Sequence, residues 1–180
     1  MSALQAVSAL SLSPLPMQPR LAPETASANR EVLAFRLGQE LYGIPILNVQ
    51  EIRNYEVPTR IAGAPESVRG VLNLRGVIVP VIDLRLRFGI EAKFDAATVT
   101  VVLNLDGRVV GAVVDSVSDV LDIAGGDIKP APQFNSAVGA QHITGLSCIK
   151  QGEQESLIIL LDIEGLMGAA PVLEAAELCA

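Results

Sequence analysis

The strongest constraint on the fold is an internal repeat: residues 33–53 align with residues 101–121 without a gap. Leu37 matches Leu105, Gly43 matches Gly111, Val49 matches Val117, Glu51 matches Asp119 and Ile52 matches Val120. Apolar residues and one acid therefore recur at equivalent places. The ends repeat as well. VIDLRLRFG (81–89) aligns with LLDIEGLMG (160–168), and Asp83 and Asp162 each close an apolar strand where a carboxylate can cap the following turn. Gly70-Val71 and Gly145-Leu146 fall between, with insertions. Two copies of one unit follow, each about 60–70 residues and close to the lower size limit for independent stability. Such units are expected to share an interface, and the groove between them is a natural binding site.

The copies read as β structure. Half of the residues are hydrophobic, yet only six are Phe or Tyr and none is Trp, so the core is built from Val, Ile, Leu and Ala. β-Branched runs of this kind favour strands. EVLAFRLG, ELYGIPI, NVQEIRNY, GVLNL and GVIVPVIDL give five short strands punctuated by Gly38, Gly43, Gly63 and Gly76, enough for a small barrel. Residues 64–69 are expected to make one helical turn, and the stretch from Asp162 a short helix or two over a barrel end, split at Pro171. The organisation expected is a folded region over 30–168, divided into units at about 30–92 and 97–168 with room for strand exchange between them. The seam falls near 91–97, and 169–180 form a C-terminal tail.

Residues 1–29 are rich in Ala, Ser, Leu and Pro without a sustained period, and are expected to be a disordered extension. A short amphipathic stretch through Leu4, Val7 and Leu10 could dock as a helix, but plain disorder is the simpler reading. A signal peptide is disfavoured, because no basic region precedes the uncharged stretch and Pro14, Pro16 and Pro19 interrupt it. Apolar runs elsewhere are broken well before the roughly 18 residues a spanning helix needs. No membrane insertion is expected. Two cysteines, Cys148 and Cys179, give no disulfide framework, which suits a reducing cytoplasm. The net charge of -7 has the wrong sign for a nucleic-acid surface.

Catalytic and metal constellations find little support. His142 is the only histidine, so every triad or multi-histidine site would have to use it, and a loop or strand-start position is the simpler reading. Cys148 in GLSCIKQG reads as a packing residue at the end of a buried strand. Asp115, Asp119, Asp122 and Asp127 do not follow a calcium-loop pattern, because Val and Leu alternate between them as on a solvated strand face. Gly125-Gly126 reads as a turn and not as a phosphate cradle. No catalytic residue, cofactor or metal is therefore assigned. Arg69, Arg75, Arg85 and Arg87 make the only basic concentration on an acidic chain. They could complement an acidic partner or be a few solvated arginines. Arg75, set between Leu74 and Gly76 at a turn, is the strongest candidate for an interface anchor.

These segments resemble the CheW family of bacterial chemotaxis coupling proteins. The likeness runs from about Val32 to Met167 through LYGIPILNVQEIRNY, VRGVLNLRGVIVPVIDLRLRFG, RVVGAVVDSVSDVL and IKPAPQF. It implies a mainly β fold of two tandem SH3-like five-stranded β-barrels with short helices. It also implies a non-enzymatic scaffold that joins the histidine kinase CheA, through its regulatory domain, to the cytoplasmic tips of methyl-accepting chemoreceptors. Carried onto this chain, the family's receptor contacts fall on Val49, Glu51, Gly70, Arg75, Gly76 and Val120, and its kinase contacts on Lys129 and Phe134. Lys129 stands where the family often has Arg, and it keeps the charge without the planar fork. The alternative within the family is an adaptor of a non-flagellar chemosensory pathway. Outside it, the competing readings are an enzyme using Cys148 or His142, and a barrel that binds nucleic acid.

Overall fold

The structure, a computed structural model, describes residues 28–132 and 140–168. Ten strands run in the order β1 (Arg30–Leu37), β2 (Glu40–Pro45), β3 (Val49–Asn54), β4 (Val68–Leu74), β5 (Val77–Asp83), β6 (Val99–Leu105), β7 (Arg108–Val114), β8 (Ser116–Ile123), β9 (Ile143–Gln151) and β10 (Gln154–Leu161). Two short helices, α1 (Leu84–Arg87) and α2 (Ile163–Gly168), follow β5 and β10. The strands form two five-stranded sheets, ordered β8-β1-β2-β10-β9 and β3-β6-β7-β5-β4.

Each sheet takes strands from both copies. The hairpin β1-β2 lies with β8, β9 and β10, while the hairpin β6-β7 lies with β3, β4 and β5. The connections explain why. Pro45 and Val49, on either side of the turn Ile46–Asn48, both have extended backbone, so the chain carries forward out of β2 and does not fold back. Only Asp115 separates β7 from β8. A chain that cannot turn back beside its own hairpin continues into the other sheet.

The repeat is kept at the level of single hydrogen-bonded pairs. Ile52 faces Val101 as Val120 faces Leu33, and Glu51 faces Val102 as Asp119 faces Ala34. The extra residue of each ladder is Gln50 in one and Ser118 in the other. Such bulges bend a strand locally. Val81 lies beside Gly111 in a parallel pairing, and Leu160 beside Gly43 in its counterpart. Asp83 accepts from Arg85 N, and Asp162 from Gly165 N, so both repeated aspartates cap the turn after their strand.

Three apolar clusters result. The largest lies between the sheets and joins Leu33, Phe35, Tyr42 and Ile44 to Ile82, Val101, Leu103 and Leu105. Ile163, Leu166 and Met167 of α2 pack into it, so this helix reinforces the joint between sheets and does not merely cover a barrel end. The other two clusters fill the barrels: Val32, Ala34, Leu41, Ile123, Ile158 and Leu160 in one, and Leu74, Val79 and Val102 in the other. Each fully buried aliphatic or Phe side chain contributes about 1.5–3 kcal/mol. The inter-sheet cluster holds most of them, so it supplies the larger share of stability.

Three local expectations are corrected. Residues 64–67 make a turn, closed by Val68 N donating to Pro65 O, and 68–69 already belong to β4, so no helix forms there. Arg85 is fully buried rather than part of a basic surface. Cys148 is exposed while its neighbour Ser147 is buried. The pairing of Cys148 with Leu157, itself 48% exposed, sets this outward phase of β9.

Candidate functional site

The turn between β4 and β5 displays Arg75. Leu74 pairs with Val77, and the two residues between them both have positive φ, 54° at Arg75 and 88° at Gly76. That is the geometry of a type I′ hairpin, whose twist matches the flanking strands. Asn73 Oδ1 accepts from Gly76 N at 2.8 Å and fixes the turn from within. Leu74 anchors it in the barrel core. A left-handed conformation at a residue with a Cβ costs about 1–2 kcal/mol, so Arg75 occupies this place against its backbone preference.

What the arginine gains is a defined position. Its Nη2 lies 2.9 Å from Glu51 Oε2 on β3, with the Arg75 side chain 76% exposed and that of Glu51 25% exposed. Arg53 Nη1 lies 3.8 Å from Glu51 Oε1, and Arg53 Nη2 donates to Glu56 Oε1 at 3.0 Å. Arg75, Glu51, Arg53 and Glu56 thus form an alternating row linking β3 to the β4-β5 tip. Exposed pairs of this kind are worth at most about 1 kcal/mol, so the row orders the surface more than it stabilises the fold. Beside it the hairpin exposes Val77 and Ile78, at 54% and 58%.

The turn has an echo that the repeat does not predict. Asn104-Leu105-Asp106-Gly107 closes β6-β7 with Asp106 at φ 51° and Asn104 Oδ1 accepting from Gly107 N at 3.0 Å. Because β5 and β7 are parallel neighbours, the two tips lie at the same end of one sheet, one carrying Arg75 and the other Asp106.

The remaining candidates are more dispersed. Val49 is half-buried on β3 and packs against the inter-sheet core. Gly70 is buried at φ 139°, and a Cβ there would lie 2.0 Å from the Thr59 carbonyl oxygen. Val120, 47% exposed, is on the edge strand β8 of the other sheet. Its repeat partner Ile52 is 44% exposed on β3, next to Glu51. Ile52, Arg53, Val77 and Ile78 belong to this surface and were not singled out from sequence. The Ile52–Val120 match was the one available signal. Lys129 is exposed and exchanges two backbone hydrogen bonds of 2.8 Å with Leu146. Phe134 lies outside the described residues.

Arg85 has a different task. Its Nε and Nη2 donate to the two oxygens of Asp83 at 2.9 Å each, and its Nη1 donates to Asp115 Oδ1 at 2.9 Å and to the Lys93 carbonyl. Burial lowers the guanidinium pKa, but the bonds and charge of Asp83 and Asp115 outweigh that and raise it above its ordinary value. Phe94 lies against this group, 4.5 Å from Arg85, 5.0 Å from Arg69 and 4.6 Å from the Tyr55 ring. Two members of the basic run therefore clasp the seam between copies. Arg87 is partly buried and reaches the Leu166 carbonyl at 3.4 Å.

His142 sits in a three-residue turn just before β9, beside Gln141, and its carbonyl accepts from Asp162 N. Cys148 is on the outer face of β9. Among the described residues no group of three or more His, Cys, Asp or Glu could hold a metal ion. No helix among them is long and apolar enough to cross a membrane.

Among the described residues, two five-stranded sheets present a charge-ordered rim with aliphatic neighbours, a surface suited to binding another protein. The profile of the CheW-like domain matches residues 31–170, and the chain belongs to that family. It is 49% identical over 151 residues to the chemotaxis protein CheW of Klebsiella aerogenes, covering 83% of this chain and 87% of that one. It is 33% identical over 153 residues to the CheW of Treponema pallidum, covering 82% and 88%. The scaffolding protein TtCheW of Thermoanaerobacter tengcongensis superposes with a TM-score of 0.67 at 31% identity, over 77% of this chain and 92% of that one.

Proposed function

We propose that this protein is a non-enzymatic chemotaxis coupling protein, and that it joins the kinase CheA to the cytoplasmic tips of methyl-accepting receptors. It works in the cytoplasm and is recruited to receptor arrays. The observation that carries the reading is Arg75, held in a strained turn and fixed by Glu51 beside exposed Ile52, Val77 and Ile78. A receptor helix would lay its apolar face on these aliphatics while the charged pair sets its register. Val49, Gly76 and, from the other sheet, Val120 extend the receptor contact, and Gly70 supports it from below. Lys129 and Phe134 meet the kinase regulatory domain. The relatives named for chemotaxis favour this reading over an adaptor of a non-flagellar pathway.

The test uses purified full-length protein, a receptor cytoplasmic fragment and CheA. Arg75→Glu should leave circular dichroism unchanged and weaken receptor binding about tenfold or more, equivalent to about 1.4 kcal/mol, with kinase binding retained. Lys129→Glu should do the reverse. Wild-type protein that binds neither partner sinks the reading, and an Arg75→Glu variant with full receptor affinity removes Arg75 from the site.

A further inference from the structure

The two halves differ in what covers one equivalent place. In the first, the chain just ahead of β6 is packed down: Phe94 lies against Tyr55, Arg69 and Arg85, the Lys93 carbonyl accepts from Arg85, and Asp95 caps Ala97 N and Thr98 N. In the second, the matching place ahead of β1 is an open cleft of about 510 Å³. Val32, Pro45, Leu47, Thr144, Leu160 and Leu161 line it. By the strand registers these correspond to Thr100, Val113, Asp115, Arg69, Val81 and Ile82, of which Arg69 lies against Phe94 and Asp115 shares Arg85 with the Lys93 carbonyl. Leu47, at its rim, is 93% exposed, the most exposed of the large hydrophobic residues described.

The residue matching Phe94 is Ala26, a methyl group that cannot fill the space. Larger apolar side chains stand a little further upstream, at Leu15, Met17 and Leu21. The chain reaches the described region beside the cleft, since Asn29, Arg30 and Glu31 are among its lining. Seven residues lie between Leu21 and Asn29, so an extended chain reaches roughly 26 Å over the eight steps and has ample slack to fold back. We propose that residues 15–21 of this chain's own N-terminal extension dock in the cleft, doing for the second half what the Phe94 segment does for the first. Docking covers Leu47 and braces the lead into β3, the strand that carries Glu51.

The experiment compares amide spectra of ¹⁵N-labelled full-length protein and the Leu15→Ser, Met17→Ser, Leu21→Ser variant, which alters nothing inside the two sheets. Amides of Gly43, Leu47, Thr144 and Leu161 should move, those of Gly76 and Gly107 should not, and the difference should persist on dilution. Independently, Leu47→Lys should return the amides of residues 15–21 to random-coil positions, with the circular dichroism of the wild type. Unmoved cleft amides would overturn the proposal. A difference that fades on dilution would also overturn it, assigning the cleft to the extension of a second copy.

Discussion

Gly70→Ala is the substitution whose cost can be worked out most fully. Gly70 has φ 139°, and the added Cβ would sit 2.0 Å from the Thr59 carbonyl oxygen and 2.6 Å from its carbonyl carbon. Neither atom is the end of a flexible side chain, so the backbone must move. A side chain held in this sparsely populated region costs about 1–3 kcal/mol. Relieving the overlap displaces Thr59, which exchanges two 2.9 Å hydrogen bonds with Val71, each worth about 0.5–1.5 kcal/mol. The sum is about 2–6 kcal/mol, a large part of the roughly 5–15 kcal/mol that holds a domain together. Gly63→Ala and Gly89→Ala isolate the first contribution, because both have positive φ and nothing within 4 Å; they should cost about 1–2 kcal/mol. Gly145→Ala isolates crowding without positive φ, against Ile128 Cγ2 at 2.6 Å, which can rotate away, and the Lys129 carbonyl oxygen at 3.0 Å, which cannot. Equilibrium urea unfolding followed by circular dichroism reads all four. If Gly70→Ala is no more costly than Gly63→Ala, the steric reasoning fails. A receptor-binding defect confined to conditions where the variant has unfolded would mark Gly70 as a support of the site and not a contact.

Arg85→Ala should cost about 3–5 kcal/mol by leaving Asp83 buried and unpaired, whereas Arg75→Ala should cost less than about 1 kcal/mol because its pair is exposed; equal shifts in urea midpoint would contradict this. Burial, with a further contribution from Glu40, raises the Tyr42 phenol above its ordinary value of 10.0. The unfolded chain then loses that proton first as pH rises, so stability is full below pH 10 and declines above it. Tyr42→Phe should flatten that alkaline decline, and an unchanged slope would refute the assignment. Cys148 is exposed, so in a Cys179→Ser background it should react with a thiol reagent in the folded protein about as fast as in urea; protection would return it to the core. Cys148→Ser and His142→Ala should leave receptor-dependent kinase activation intact, and a lost turnover in either would revive an enzymatic reading.

The repeat made much of this legible, because side-chain period and register survive duplication: even the bulge residues Gln50 and Ser118 fall at matching places. Which hairpin joins which sheet was not legible. Two similar copies offer nearly the same edges to β1-β2 and β6-β7, and the choice rests on connections too short to turn back. The burial of Arg85 was hidden for another reason. LRLR reads as a solvated turn until Asp115, from β7-β8, and Phe94, from the seam, are brought onto it. The outward phase of Cys148 escaped because GLSCIK fits either alternation, and only pairing with β10 selects one. The echo of the Arg75 turn was missed because it lies on β6-β7, which is not the repeat counterpart of β4-β5.

The asymmetry of the candidate site has its origin in hairpin length. Gly70 facing Val81 is equivalent to Gly145 facing Leu160, and counting outward from both, Leu74 facing Val77 corresponds to Ile149 facing Ser156. At that point the first hairpin turns, and its tip delivers Arg75 to Glu51. The second continues to Gln151 facing Gln154, carrying its tip past the place where a partner for Asp119 would stand. Asp119 instead accepts from its neighbour Val120 N at 2.8 Å. The seam between β8 and β9 correspondingly opens as a cleft of about 550 Å³, bordered by Leu121, Ile123 and Ile149. A duplicated frame thus presents two different surfaces, and only the half with the shorter hairpin holds an arginine in fixed register with the acid on its neighbouring strand. By the same count Lys150 stands at the place of Arg75, but β9 continues through it, and its ammonium lies 3.9 Å from Glu155 Oε1 on the paired strand instead of being delivered by a turn to the neighbouring acid.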